Sequence, residues 1–248
     1  MSSGTRVVVA LAVAAIALAL PCPAAAQWYS AAYLGANHTP RADVSVDVPP
    51  LGVSLTYHDV QFDAKPFKSP QYYGGRLGRL FGASRRIGLE VEFIHLKVIG
   101  QTSQVYPVTG SFGSLPGVTS QSPMNAVVEE YQMTHGLNFI LANVLGRLPI
   151  GAADGPLTLI VRGGAGPTVP HAESRVAGES VNQYEWAGVG VHGAAGLNIR
   201  IAGPVSALAE YKLTFAKPEI TIGNGTGRTT ALTHQFAFGL TFGLAHRP

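Results

Sequence analysis

The sequence predicts an all-β chain: an eight-stranded antiparallel transmembrane β-barrel with short periplasmic turns and longer extracellular loops. Three observations predict it. Segments of about ten residues, alternating apolar with small or polar side chains, recur eight times. The connections between them alternate short and long. The chain is 46% hydrophobic and only 12% charged. Yet it has no apolar run near the roughly 18 residues that a membrane helix needs. Thirty glycines suit a sheet whose faces alternate bulky and small groups.

Residues 1–26 read as a secretory signal peptide, and 27–248 as the barrel. Arg6 precedes fourteen apolar residues, Val7 to Leu20, and Ala24-Ala25-Ala26 supplies a small-residue cleavage site. Fourteen apolar residues are too short a run for a membrane helix. The only cysteine, Cys22, leaves with the signal. Pro21 stands where a lipoprotein site wants a small residue. A mature chain without cysteine has no disulfide framework and no thiolate metal site. The formal charge is +3, and removal of Arg6 makes it +2. The charge is not gathered into a basic cluster, so nucleic acid is not an expected partner.

The segments follow in order. Trp28 to Ala36 is aromatic and small. In Gln71 to Phe81, Tyr73, Gly75, Leu77 and Phe81 oppose Tyr72, Gly74, Arg76 and Gly78. Ile87 to Val98 sets Leu89, Val91 and Phe93 against Glu90 and Glu92. In Val127 to Leu145, Tyr131, Met133, Leu137, Phe139 and Leu141 make the apolar, outward face, and Glu130, Gln132, Thr134 and Asn138 the inward one. Leu157 to Val169 sets Leu159, Val161 and Ala165 against Arg162 and Gly164. Tyr184 to Ile201 sets Val189, Val191, Leu197 and Ile199 against Trp186, His192, Asn198 and Arg200. Val205 to Phe215 sets Tyr211, Leu213 and Phe215 against Glu210 and Lys212. Thr230 to Leu244 sets Phe236, Phe238, Leu240 and Phe242 against Thr233, Gln235 and Thr241.

An even count fits a single-chain barrel, and short turns belong on the periplasmic side. The long first loop, Asn37 to Pro70, contains a stretch from Gly52 to Phe62 that itself alternates. It is either an extracellular hairpin arm or an additional strand. The charged run His58, Asp59, Asp63, Lys65 and Lys68 places it outside, and a ninth membrane strand would make the count odd.

Period-two alternation turns Arg76, Glu90, Glu92, Glu130, Arg162, His192, Arg200, Glu210 and Lys212 inward. An eight-stranded bore is just wide enough to be filled by side chains, and buried charges must pair. The expected interior is a charge-paired plug. The competing reading of the same residues is a narrow pore or proton path.

Gly188 to Gly193 matches G-x-G-x-x-G, but it lies inside an alternating strand with no helix after it, so it is not a dinucleotide site. Its glycines are expected to make room for Arg162 and Trp186. Neither a nucleophile elbow, nor a zinc-protease motif, nor a phosphate loop occurs in the sequence.

Alternation puts four histidines on the outward faces: His95, His135, His171 and His234. The first three fall on three consecutive strands near their outer ends, with Lys97 and Glu129 on the same wall. A polar group facing hydrocarbon is costly unless it reaches the headgroup zone or a partner. The wall is therefore either an interfacial belt touching lipopolysaccharide, or a membrane-facing site for metal or acid–base work on a lipid. His58 and Asp59 are candidate helpers from above, and His234 belongs to a distant strand.

The alternating pattern over most of 27–248 resembles the small OmpA-like outer-membrane barrels. More specific strings are Tyr72-Tyr-Gly-Gly-Arg76, Glu90-Val-Glu-Phe-Ile-His-Leu-Lys97, His135-Gly-Leu-Asn138, Gly164-Ala-Gly-Pro-Thr-Val-Pro-His171 and Glu210-Tyr-Lys212. They resemble the alphaproteobacterial outer-membrane barrels named lipid A oxidases. That resemblance implies oxygen-dependent oxidation of the proximal glucosamine of lipid A. It would make His95, His135 and His171 the site, with Glu129 and Lys97 as helpers, and a divalent metal and molecular oxygen the cofactors. The broader expectation is a structural and interaction barrel of the cell outer membrane. Its partners would be outer-membrane lipids, lipopolysaccharide among them, and the barrel assembly machinery. A narrow solute pore is the third reading.

Overall fold

The computed structural model describes residues 27–113, 118–152 and 155–244. The expected signal peptide and Cys22 lie outside the described residues. Sixteen strands follow in chain order: β1 (Gln27–His38), β2 (Ala42–Val48), β3 (Val53–Val60), β4 (Phe62–Asp63), β5 (Tyr73–Phe81), β6 (Ile87–Gly100), β7 (Val105–Ser111), β8 (Gln121–Pro123), β9 (Val128–Pro149), β10 (Leu157–Val176), β11 (Glu179–Tyr184), β12 (Val189–Ala202), β13 (Val205–Ala216), β14 (Glu219–Ile222), β15 (Gly225–Thr229) and β16 (Ala231–Leu244).

Eight of them close a barrel. β1 pairs antiparallel with both β5 and β16. The ring is completed by β5–β6, β6–β9, β9–β10, β10–β12, β12–β13 and β13–β16, all antiparallel. Closure leaves no unpaired sheet edge on the wall. These strands fall on the eight alternating segments of the sequence, but β9 and β10 run on to Pro149 and Val176, while β5 starts only at Tyr73 and β12 only at Val189. The short connections gather at one end, where Ser84, Gly155 and Gly203 line one recess, and the long ones lie at the other.

The long connections are themselves folded. β14, β15, β2, β3, β7 and β8 form a second, six-stranded sheet beyond the barrel. The alternating stretch 52–62 is therefore neither a bare hairpin arm nor a barrel strand. It becomes β3, in the middle of this outer sheet, and β4, which pairs with the top of β6. Alternation explains the sheet. Val44, Val46 and Val48 are buried while Asp47 is exposed. Each such valine contributes about 1.5–3 kcal/mol by leaving water. Val53, Leu55 and Tyr57 do the same from β3, and one apolar cluster runs from these residues into the top of the barrel, through Ile94, Leu96, Tyr131, Met133, Leu137 and Phe139.

That cluster reverses one expectation. Tyr131, Met133, Leu137, Phe139 and Leu141 of β9 do not face outward; they are at most 1% exposed and point inside. The upper barrel lies beneath an apolar sheet, so its interior there is apolar too. The outward face of lower β9 is carried by Ile140, Ala142, Val144 and Leu148. Glu130 is consequently outside the lumen, where it accepts a hydrogen bond from Gln132 at 2.7 Å. Asn138 moves with it to the outer wall.

Candidate functional site

The lumen decides whether anything passes through the barrel. Glu92, with no accessible side-chain surface, takes Arg76 at 2.7 Å, Tyr33 at 2.6 Å and Asn143 at 2.8 Å, and is also paired with Lys212. Arg76 reaches on to Glu210 at 2.5 Å, and Lys212 reaches the same carboxylate at 3.2 Å. Arg162 bridges Glu90 at 3.1 Å and Glu210 at 3.2 Å. Tyr29 donates to Glu90, and His192 lies 2.8 Å from the Asn143 amide oxygen. The Arg76 guanidinium also stands over the Tyr33 ring, 4.7 Å from its centre. Three carboxylates thus face three basic side chains, and each has more than one partner, as burial of charge demands. Seven of the nine expected lumen residues join this network. Glu130 does not, for the reason given above. Arg200 keeps inward parity but lies at the short-turn mouth, where Arg86 and Arg147 also line a recess of about 450 Å³. The supporting Tyr29, Tyr33 and Asn143 were not singled out by sequence, since uncharged residues give no sign of a network.

Trp186 is also misplaced by simple alternation. It stands outside, beside Lys217 and Glu219. The group for which Gly190 makes room is Phe139, whose ring lies 2.4 Å from where a Cβ would stand.

The outer wall holds the second arrangement. His95, His135 and Asn138 line a cleft of about 350 Å³ with Tyr73, Phe93 and Tyr184. His95 occupies an outward position on β6 but is 3% exposed, so it is not lipid-facing as expected. The first loop covers it. Lys97 Nζ donates to the Lys68 and Ser69 carbonyls at 2.9 and 3.3 Å, holding that loop down. The His95 ring stacks on Tyr73 with centres 4.8 Å apart. Its Nδ1 lies 2.9 Å from Asn138 Oδ1, and its Nε2 has no hydrogen-bond partner.

His135 reaches this wall by a bulge. Between the pairs Leu96–Leu137 and Val98–Met133, β6 spends one residue and β9 spends three; against β10, between Pro170–Leu137 and Glu173–Gln132, β9 again spends two more than its partner. Such a bulge re-aims a side chain. Gly136 makes it possible: its φ is +103°, and a Cβ there would stand 2.3 Å from His95 Nδ1. His135 therefore emerges between Met133 and Leu137, both of which point inside. Its outward position agrees with the sequence reading, but the cause is the bulge and not the alternation.

Next to it, on β10, are His171 and Glu173, two residues apart and so on one face. Glu173 Oε1 lies 3.1 Å from His171 Nδ1, 2.5 Å from the Thr134 hydroxyl, and in close contact with His135 Nδ1. The His135 and His171 rings meet edge-on at 4.8 Å, and Tyr184 backs His171 at 4.4 Å. Glu173 was missed by sequence reasoning. The signal was present in His171-Ala-Glu173, a spacing that puts both groups on one strand face. The site is not a nucleophile relay: Thr134 and Glu173 both meet the same His135 nitrogen, so no imidazole stands between hydroxyl and carboxylate.

The remaining candidates lie elsewhere. Glu129 is paired with Arg175 at 2.7 Å and accepts from the Gly178 amide at 3.2 Å, and it does not line the cleft. His58 is held by Asp43 and Thr109 on the outer sheet at 3.0 and 2.9 Å. His234 bonds Tyr211 on the β13–β16 wall. On the outer sheet, burial pushes the Tyr57 hydroxyl up to about 12, and the Arg228 guanidinium holds the Glu219 carboxyl below its ordinary range.

No family model and no curated protein matches the chain. Among solved structures it is similar to the outer membrane protein AlkL, with 11% identity over 92% of this chain and 97% of that one, at a TM-score of 0.45. It is also similar to OprG from Pseudomonas aeruginosa, with 7% identity, 89% and 95% coverage and a TM-score of 0.43. Neisserial surface protein A gives 8% identity, 88% and 97% coverage and a TM-score of 0.39.

Proposed function

We propose that this chain is an outer-membrane barrel with a sealed lumen, acting as a structural and interaction barrel of the cell envelope. The observation that carries the reading is the balanced ion network across the bore, in which three carboxylates and three cations satisfy one another. The apolar surface supports the membrane setting. Among the described residues, all the exposed large apolar side chains except Phe67, Val105, Ile150, Tyr184 and Trp186 stand on the eight barrel strands. The short turns then face the periplasm and the outer sheet faces the outside. Outer-membrane lipids, lipopolysaccharide included, contact the belt, and the barrel assembly machinery inserts it. Planar-bilayer recording tests the reading: refolded, heat-modifiable protein should be electrically silent. Discrete conductance steps would overturn it in favour of a pore.

A second reading has one specific observation behind it. His95, His135 and Asn138 do share one outward-facing cleft, at the upper edge of the apolar belt, with His171 against it. A lipid A-modifying enzyme that oxidises the proximal glucosamine would place its site at that height. Mass spectrometry of lipid A, with and without expression of the protein, tests it. A product heavier by one oxygen supports the enzyme. Unchanged lipid A with a folded barrel refutes it.

A further inference from the structure

We infer that His135, His171 and Glu173 form a binding site for one divalent cation of the zinc class, on the outer wall of the barrel. One imidazole nitrogen from each histidine and one carboxylate oxygen all lie within 4.8 Å of one another. Tetrahedral zinc with bonds of about 2.0–2.2 Å sets its ligands roughly 3.3 Å apart. His171 Nδ1 and Glu173 Oε1, at 3.1 Å, already meet that spacing. Rotation of the exposed His135 ring supplies the rest.

Two features beyond proximity point to a cation. First, three groups converge on a single oxygen, Glu173 Oε1: both imidazoles and the Thr134 hydroxyl. One carboxylate oxygen offers about two lone-pair positions. A cation relieves the crowding, because both imidazoles then present lone pairs to the metal and only Thr134 still donates to the carboxylate. Second, the neighbouring His95 is buried and has an Nε2 with no partner, in the cleft that His135 lines. Two imidazoles and one carboxylate leave a coordination position open, and that position is free to face the cleft. Imidazole ligands select zinc-like ions over magnesium or calcium, which want oxygen. The ligands are also built in. His171 and Glu173 have side chains only 13% and 16% exposed, and Tyr184 backs the first of them. The inference rests on neither reading of function: a barrel that binds zinc and leaves lipid A unchanged retains the site and loses the enzyme.

The test is zinc titration of the refolded, chelator-stripped barrel in detergent, in competition with a chromophoric chelator. One equivalent should bind to the wild type, and millimolar magnesium should not displace it. His171→Ala and Glu173→Gln should each weaken binding by at least about tenfold. His234→Ala, which alters another outer-wall histidine, should bind as the wild type does. Cobalt provides a readout that needs no variant: bound at this site, it should show the visible spectrum of a four- or five-coordinate nitrogen–oxygen complex. Heat-modifiable migration establishes that each variant is folded. A folded wild type that takes up no zinc would overturn the inference, as would folded His171→Ala and Glu173→Gln proteins that bind zinc as tightly as the wild type.

Discussion

Glu92→Gln is the sharpest test of the plugged lumen. Glu92 faces Arg76, Lys212, Tyr33 and Asn143, and its side chain has no accessible surface. Removing its charge leaves three cations against Glu90 and Glu210. An uncompensated buried ion costs about 3–5 kcal/mol, a factor of roughly 200–5,000 in the folding equilibrium. Lys212→Met unbalances the network in the opposite sense and should cost a similar amount. The double substitution restores balance at two against two, with a methionine filling the lysine stem. It should come within about 1–2 kcal/mol of the wild type, because a buried pair replaced as a pair is often near neutral. The assay is urea unfolding in lipid vesicles, read by heat-modifiable migration for all four proteins. The reasoning requires a favourable coupling of several kcal/mol between the two sites. A double variant whose loss equals the sum of the single losses would refute it, and the network would then be a set of independent contacts.

Four further perturbations follow from the geometry. Gly136→Ala should cost about 1–3 kcal/mol through its left-handed backbone alone, and should weaken zinc binding by displacing His95 and His135; urea midpoints and the chelator competition measure the two effects. Phe238→Arg, on a position 62% exposed in the apolar belt, should lower stability in vesicles by about 2–4 kcal/mol if it lies at the bilayer midplane, and an unchanged midpoint would place the belt elsewhere. Val46→Asp puts an unpaired charge under the outer sheet, so limited proteolysis should cut the loops while the barrel stays heat-modifiable. Tyr57→Phe should be neutral or stabilising at pH 7, since the native hydroxyl is buried without a partner. The folded pKa near 12 lies above the unfolded value near 10. Tyr57 therefore holds its stability below pH 10 and loses it as pH rises through 12; the variant should lack this alkaline step in outer-sheet protease resistance.

The eight wall strands were legible because lipid on one side and a narrow polar bore on the other impose a strict period of two. Arg76, Glu90, Glu92, Arg162, His192, Glu210 and Lys212 were all placed by that period alone. β9 was not, and the reason is physical. Its upper half borders neither lipid nor a polar bore, but an apolar space beneath the outer sheet. Tyr131, Met133 and Leu137 alternate there as a lipid-facing strand would, and periodicity carries no sign of which face is inside. Nor does the sequence pattern of the long loops say that the β2–β3 hairpin pairs with β15 on one side and β7 on the other, because those pairings join distant residues, Val46 with Gly227 and Tyr57 with Val108.

The histidine wall shows why outward polarity is confined to one height. Below it the exposed groups are aliphatic and aromatic, and a histidine there would face hydrocarbon at a cost. Above it the outer sheet and the β10–β11 hairpin bury what the strands present. Only between the two can an outward side chain be polar and still have partners. The fold concentrates its irregularities in that band: the bulge at Gly136, the loop fastened over His95 by Lys97, and the three donors crowding Glu173. A barrel needing only a plug and a belt has no use for any of them. Their cost in backbone strain and buried polarity is what a ligand at this site would offset.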